Sequence, residues 1–194
     1  ALRLAEVAKT EKIELGDSPI RKIIVAGEPG GSIPATRRRL EEAWPGATIF
    51  DHHGMTEVGP VTYQCSAQPG VLYILEHSYI PVIVHPDTGQ AVDPGDTGVL
   101  VLTTLGRHGS PLLRYRTGDL VKSTKTQASN CGRFDLGLDG GILSRADDMV
   151  VIRGVNVYPS AVEEIIRNIG GVAEYRMEIA RDNSMVEMSL QIEP

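Results

Sequence analysis

The chain has 194 residues, 41% of them hydrophobic and 23% charged, with a formal net charge of -6. That is enough apolar material for a sizeable core in one domain, or one domain plus a small module. The acidic balance argues against a nucleic-acid backbone as partner, which needs Lys and Arg gathered on one face, and no apolar run approaches the ~20 residues of a membrane span.

Residues 22–26, Lys-Ile-Ile-Val-Ala, read as a short buried strand that Gly27-Glu28-Pro29-Gly30-Gly31 breaks. Ser32 then reads as an N-cap, with Pro34 in the first turn of a helix running to about Trp44 and stopped by Pro45-Gly46. The basic run Arg37-Arg38-Arg39, followed by Glu41-Glu42, reads as an exposed helix face with local charge pairs. Residues 47–50 read as a second buried strand, so strand, helix and strand form a βαβ unit with parallel strands and a right-handed crossover.

From about 71 to 121, short apolar runs alternate with turn clusters such as Pro86-Asp87-Thr88-Gly89 and Asp93-Pro94-Gly95-Asp96, the pattern of an antiparallel, barrel-like sheet. Residues 122–141 read as a looser loop. Met149-Val150-Val151-Ile152 is a strand, and Pro159-Ser160 opens a helix running to about Ile169. Residues 173–180 and 185–192 form a hairpin with Val186, Met188, Leu190 and Ile192 on one face. This βαββ segment is too short to bury a core alone, and should either pack on the rest or be the start of a larger C-terminal module. The fold class is therefore mixed α/β (α+β): a βαβ parallel portion, an antiparallel barrel-like portion and a small βαββ module.

Two cysteines, Cys65 and Cys131, are too few for a secreted disulfide scaffold, so free thiols in a reducing, cytoplasmic compartment are expected. His52, His53 and His77 lack the close paired spacing with these cysteines that a structural zinc site shows. The chain opens on Ala1 rather than Met and closes on a strand-like stretch, as a piece of a longer chain would.

In a parallel α/β sheet ligands collect beyond the carboxyl ends of the strands. Gly27-Glu28-Pro29 and Asp51-His52-His53-Gly54-Met55-Thr56-Glu57 occupy that place, on the same sheet edge. Gly54 permits close backbone approach to a ligand, Thr56 offers a hydroxyl to a phosphate oxygen, and Glu57 offers a hard oxygen suited to Mg²⁺. Each has a plainer alternative, a helix start above all. Asp119, in Tyr115-Arg116-Thr117-Gly118-Asp119, is either an ordinary turn residue or a carboxylate that accepts from a ribose diol. Arg145 is either a ribose or phosphate donor or half of a solvated Arg–Asp pair with Asp147-Asp148.

Taken in order, Gly-Glu-Pro, Gly-Met-Thr-Glu, Tyr-Arg-Thr-Gly-Asp and Arg-Ala-Asp-Asp-Met…Arg-Gly-Val-Asn-Val-Tyr-Pro resemble the acyl-adenylate-forming superfamily, and the tail from Arg153 resembles its phenylacetate–CoA ligase branch. The resemblance covers about residues 20 to 192. It implies attack of a carboxylate on the ATP α-phosphate to give acyl-AMP, then displacement of AMP by CoA, with a small carboxylic acid, an aryl acid by preference, as substrate. It implies that Gly27, Glu28 and Pro29 line the adenine pocket, with Asp51, His53 and Gly54 in the neighbouring loop. Thr56 would hold the α-phosphate, Glu57 the Mg²⁺, and Asp119 and Arg145 the ribose.

Residues 1–146 would be part of the large AMP-binding domain and residues 147–194 the start of the small one, hinged near Asp147, with Gly154 near the pantetheine channel. His53 stands where the family usually has Tyr or Phe stacked on adenine. The family's phosphate loop would lie upstream of this sequence and its catalytic lysine downstream, so no ligase turnover is expected of the chain alone. Another thiol acceptor, such as a carrier protein, and a non-catalytic nucleotide-binding or structural module are the alternatives. Oligomeric state stays open.

Overall fold

The computed structural model describes all residues except 28–30, 32, 125–131, 133, 147–149, 153–154, 170, 173, 183–184 and 194. It opens with α1 (Leu2–Thr10) and a 3₁₀ turn at Leu15–Asp17, in a stretch where no element was expected. The βαβ unit follows as β1 (Lys22–Val25), α2 (Pro34–Ala43) and β2 (Thr48–Asp51). β1 and β2 are parallel, in register from Lys22↔Thr48 to Val25↔Asp51. Pro34 starts α2 because its fixed φ already suits a helix. The cap position is Ile33, extended and without a side-chain hydrogen bond, rather than the expected Ser32. Gly46, at φ +83°, lets the chain reverse after the helix.

A two-residue hairpin, β3 (Gly54–Met55) and β4 (Gly59–Pro60), leads into a six-stranded sheet. Its strands are β5 (Thr62–Gln64), β6 (Val71–Ile74), β7 (Tyr79–Val84), β8 (Thr97–Thr104), β9 (Tyr115–Ser123) and β10 (Gly137–Arg145). They lie in the order β5-β6-β10-β9-β8-β7, with every neighbouring pair antiparallel. β9 and β10 take up both ends of the expected 122–141 loop. Side-chain alternation divides the core between two faces. Leu100 and Leu102 of β8 join Val61, Leu72, Ile74 and Val121 on one face, while Val99 and Val101 join Val84 and Leu120 on the other.

The chain ends in β11 (Val150–Ile152), β12 (Val155–Val157), α3 (Pro159–Ile169) and the hairpin β13 (Glu174–Asp182) and β14 (Met185–Glu193). The helix of this module leans on the rest of the chain, whereas Met188, Leu190 and Ile192, the apolar face of its hairpin, are exposed. Val162 and Ile166 of α3 are buried, and Tyr158 packs against the second face of the sheet. Arg38 Nη2 donates to Asn168 Oδ1 at 3.2 Å, tying α2 to α3. A cavity of about 580 Å³ remains between them, lined by Pro34, Thr97, Leu120, Ile142, Tyr158 and Ala161 among others. No helix of the described residues is long and apolar enough to cross a membrane.

Candidate nucleotide site

Three segments meet at the carboxyl edge of the parallel pair. The segment after β1 folds back onto β2: a Cβ on Gly31 would lie 2.5 Å from Val25 Cγ2 and 2.7 Å from Asp51 Cγ, so glycine is required for the approach. The segment after β2 is fastened to β5. Asp51 Oδ1 accepts from His52 N (2.9 Å), Thr62 Oγ1 accepts from His53 N (2.8 Å), and the His53 carbonyl accepts from Val61 N and Thr62 N. His52 Nδ1 lies 2.8 Å from the Thr62 carbonyl. A carbonyl can only accept, so that nitrogen carries the proton.

Beneath this segment Arg37 acts as a hub. Its Nε donates to the Gly31 carbonyl (3.0 Å), Nη1 to the Ile49 carbonyl (2.8 Å) and Nη2 to Gln64 Oε1 (2.5 Å). Gln64 in turn accepts from Asp51 N at 3.2 Å and donates to the Ile49 carbonyl at 3.3 Å. The basic run is therefore not a uniform solvent face: Arg38 alone is exposed, while Arg37 and Arg39 are half-buried.

The third segment is the Thr117-Gly118-Asp119 corner inside β9. Thr117 Oγ1 donates to the Leu100 carbonyl and accepts from Asp119 N, both at 3.0 Å. Glycines 140 and 141, at φ +76° and +67°, sit where β10 slips its register against β9, as bulges commonly do. Pairing then resumes with Arg145 opposite Asp119. Arg145 Nη1 donates to the Thr117 carbonyl at 3.1 Å and stands 3.5 Å from Asp119 Oδ1. On the other carboxylate oxygen, His53 Nε2 stands 3.3 Å from Oδ2. Asp119 is 4% exposed, and neither His53 Nε2 nor Asp119 Oδ2 has an aligned hydrogen-bond partner.

The structure thus brings His53, Asp119 and Arg145 together, beside Asp51 and Gly54. Thr56 and Glu57 lie one step further along, exposed in the β3–β4 turn that Val58 N closes onto the Met55 carbonyl at 3.2 Å. They begin no helix. Gly54 allows this tight hairpin, because a Cβ there would stand 2.8 Å from the Gly59 carbonyl oxygen. Val58 is core. Gly27, at φ +90°, turns the chain out of the region after β1. Glu28, Pro29, Asp147 and Gly154 lie outside the described residues.

Among the described residues no group of three or more His, Cys, Asp or Glu could hold a metal ion. Glu57 alone could give Mg²⁺ one oxygen, which suits an ion that brings most of its shell as water and substrate phosphate. Cys65 is disulfide-bonded rather than a free thiol, and Cys131 lies outside the described residues.

Sequence reasoning missed Arg37, Gln64 and Tyr79. The Tyr79 hydroxyl lies 2.8 Å from the Val58 carbonyl and 2.9 Å from the Pro60 carbonyl, holding β4 to β7. Burial pushes its pKa above 10.0, partly opposed by Arg107. None of the three belongs to a short motif; they act through backbone carbonyls of other segments.

Residues 154–194 match the model of the AMP-binding enzyme C-terminal domain. Over its full length the chain is 36% identical to phenylacetate–coenzyme A ligase of Thermus thermophilus, covering 43% of that protein. The crystal structure of 2-hydroxyisobutyryl-CoA ligase in the postadenylation state in complex with R3-HIB-AMP matches the whole chain at 33% identity with a TM-score of 0.91, over 41% of that structure. The same enzyme in the thioesterification state, in complex with 2-HIB-AMP and CoA, gives 0.72 at 32% identity and the same coverage. The chain therefore spans less than half the length of these relatives. From end to end it is similar to the phenylacetate–CoA ligase branch of the acyl-adenylate-forming superfamily, and its residues 154–194 match that C-terminal domain model.

Proposed function

We propose that the chain carries the ribose side of the nucleotide site of an ATP-dependent carboxylate–CoA ligase that forms acyl-AMP and then acyl-CoA, with an aryl acid as the favoured substrate. The convergence of Asp119 and Arg145 on the loop that leads to Thr56 and Glu57 carries this reading. Asp119 accepts from the ribose hydroxyls, and Arg145 holds that carboxylate while facing the same sugar. Thr56 donates its hydroxyl to the α-phosphate. Mg²⁺, when bound with the nucleotide, neutralises phosphate charge, with Glu57 as its protein oxygen. Such a displacement needs charge neutralisation and positioning more than a covalent protein group.

Residues 1–146 act as part of the large domain and residues 147–194 as the start of the small one, turning near Asp147 between half-reactions. Support for that motion comes from the comparison with a single enzyme, whose TM-score to this chain falls from 0.91 in the postadenylation state to 0.72 in the thioesterification state. Titration calorimetry with AMP tests the nucleotide reading. Binding that disappears in Asp119→Ala supports it, and absence of heat in both proteins overturns it.

A further inference from the structure

The Asp119 carboxylate has an unfinished partner list. Arg145 stands 3.5 Å from Oδ1 and His53 Nε2 3.3 Å from Oδ2. The Asp119 and His53 side chains are 5% and 16% exposed, yet Oδ2 and Nε2 both lack a hydrogen bond. Two buried polar atoms face each other at contact distance without being aligned, and each costs free energy while unsatisfied. Two changes relieve this. Protonation makes both ring nitrogens of His53 donors and puts a cation beside the carboxylate. A sugar hydroxyl that donates to Oδ2 satisfies the oxygen without His53.

We propose that His53 is a positioning residue that makes nucleotide binding at this site proton-linked, because its imidazolium and a ribose hydroxyl compete for Asp119 Oδ2. This rests on the nucleotide reading above. Among the described residues, the charged groups at the pair come from three elements. His53 lies between β2 and β3, Asp119 is on β9 and Arg145 on β10. From β5, Thr62 contributes neutral hydrogen bonds to the His53 backbone. His52 is engaged with the Thr62 carbonyl. Arg145 keeps its charge throughout, so the group of this cluster that a histidine's chemistry lets switch its charge is His53.

The sign follows. Below the His53 midpoint the imidazolium holds Oδ2 and the nucleotide must displace it. Above the midpoint the ring has lost its charge and one of its two N–H donors, and it holds the oxygen more weakly. Affinity therefore rises with pH, and by reciprocity bound nucleotide lowers the His53 midpoint by the same factor.

AMP affinity measured by calorimetry from about pH 5 to about pH 8 on the chain and on His53→Gln tests this, with His53→Phe as a second variant that keeps a ring. The phosphate of AMP titrates near pH 6, but that effect is common to all the proteins and cancels in the ratio of dissociation constants. The wild-type to variant ratio should grow about 10-fold from the alkaline to the acid end, the worth of one hydrogen bond to a charged group. NMR of the His53 ring should show its midpoint falling on AMP addition and in Asp119→Asn. A ratio that stays flat while AMP still binds, or a midpoint indifferent to Asp119→Asn, overturns the linkage and leaves the nucleotide reading in place. No AMP binding at any pH overturns both.

Discussion

Gly118 and the Arg145 guanidinium occupy adjoining space: a Cβ on residue 118 would stand 2.8 Å from Arg145 Nη2 and 3.1 Å from its Cζ. Residue 118 also sits at φ +83°. The Gly-Asp corner therefore serves two ends, turning the strand and leaving room for the arginine that flanks Asp119. Gly118→Ala should cost about 1–2 kcal/mol from the left-handed backbone alone. It should also push the guanidinium off Asp119, weakening AMP binding roughly 10-fold, the worth of one hydrogen bond to a charged group. Urea unfolding and calorimetry read the two effects separately.

Arg37 joins three segments through the Gly31 carbonyl, the Ile49 carbonyl and Gln64 Oε1. Removing it leaves the Gly31 carbonyl and part of the acceptor capacity of the other two unfilled. Arg37→Ala should destabilise the chain by about 2 kcal/mol. Arg37→Lys should recover little, because a single ammonium cannot span three acceptors held in a fork. Thermal unfolding of both variants checks this; full recovery by lysine would remove the geometric argument.

Tyr79 stays protonated in the fold to a higher pH than in the unfolded chain, because burial raises its pKa from 10.0. Its contribution is fully present below pH 10.0 and is lost as the pH climbs toward the raised value. Tyr79→Phe should lower stability near neutral pH by about 1 kcal/mol through the lost carbonyl contacts. It should also flatten the alkaline decline, as unfolding midpoints above and below pH 10.0 would report.

Incubated with ATP, Mg²⁺, CoA and phenylacetate, the chain alone should release no pyrophosphate. It spans 43% of the Thermus thermophilus ligase, and a phosphoryl-type displacement needs more charge neutralisation than Thr56 and Glu57 alone provide. Pyrophosphate release above background in a coupled assay would show that this portion suffices.

Much of the fold was legible because its signals are local. The apolar run of β8, the alternation along β14, the Pro34 and Pro159 helix starts, and the Gly-rich breaks after β1 and before β2 each depend on a few neighbouring residues. The parallel pairing of β1 with β2 followed from the helix between them. The α1 helix escaped notice: only Ala8 among its residues is buried, so the stretch lacks a strong apolar stripe. The site was half legible. Asp119, Arg145, Thr56 and Glu57 stand in ordered motifs, whereas Arg37 and Tyr79 reach backbone carbonyls 6 to 21 residues away, and a carbonyl leaves no trace in residue identity.

The order of residues alone determined the βαβ unit, the starts of α2 and α3 and the family resemblance, because periodicity, turn chemistry and motif order are properties of the chain read in one direction. Only the tertiary structure decided that His53 meets Asp119 and that Arg37 lies beneath the loop rather than in solvent. Those contacts depend on how far β10 slips past β9 and how closely Gly31 and Gly118 let neighbours approach. Such distances arise from the packing of whole elements, and no local pattern encodes them.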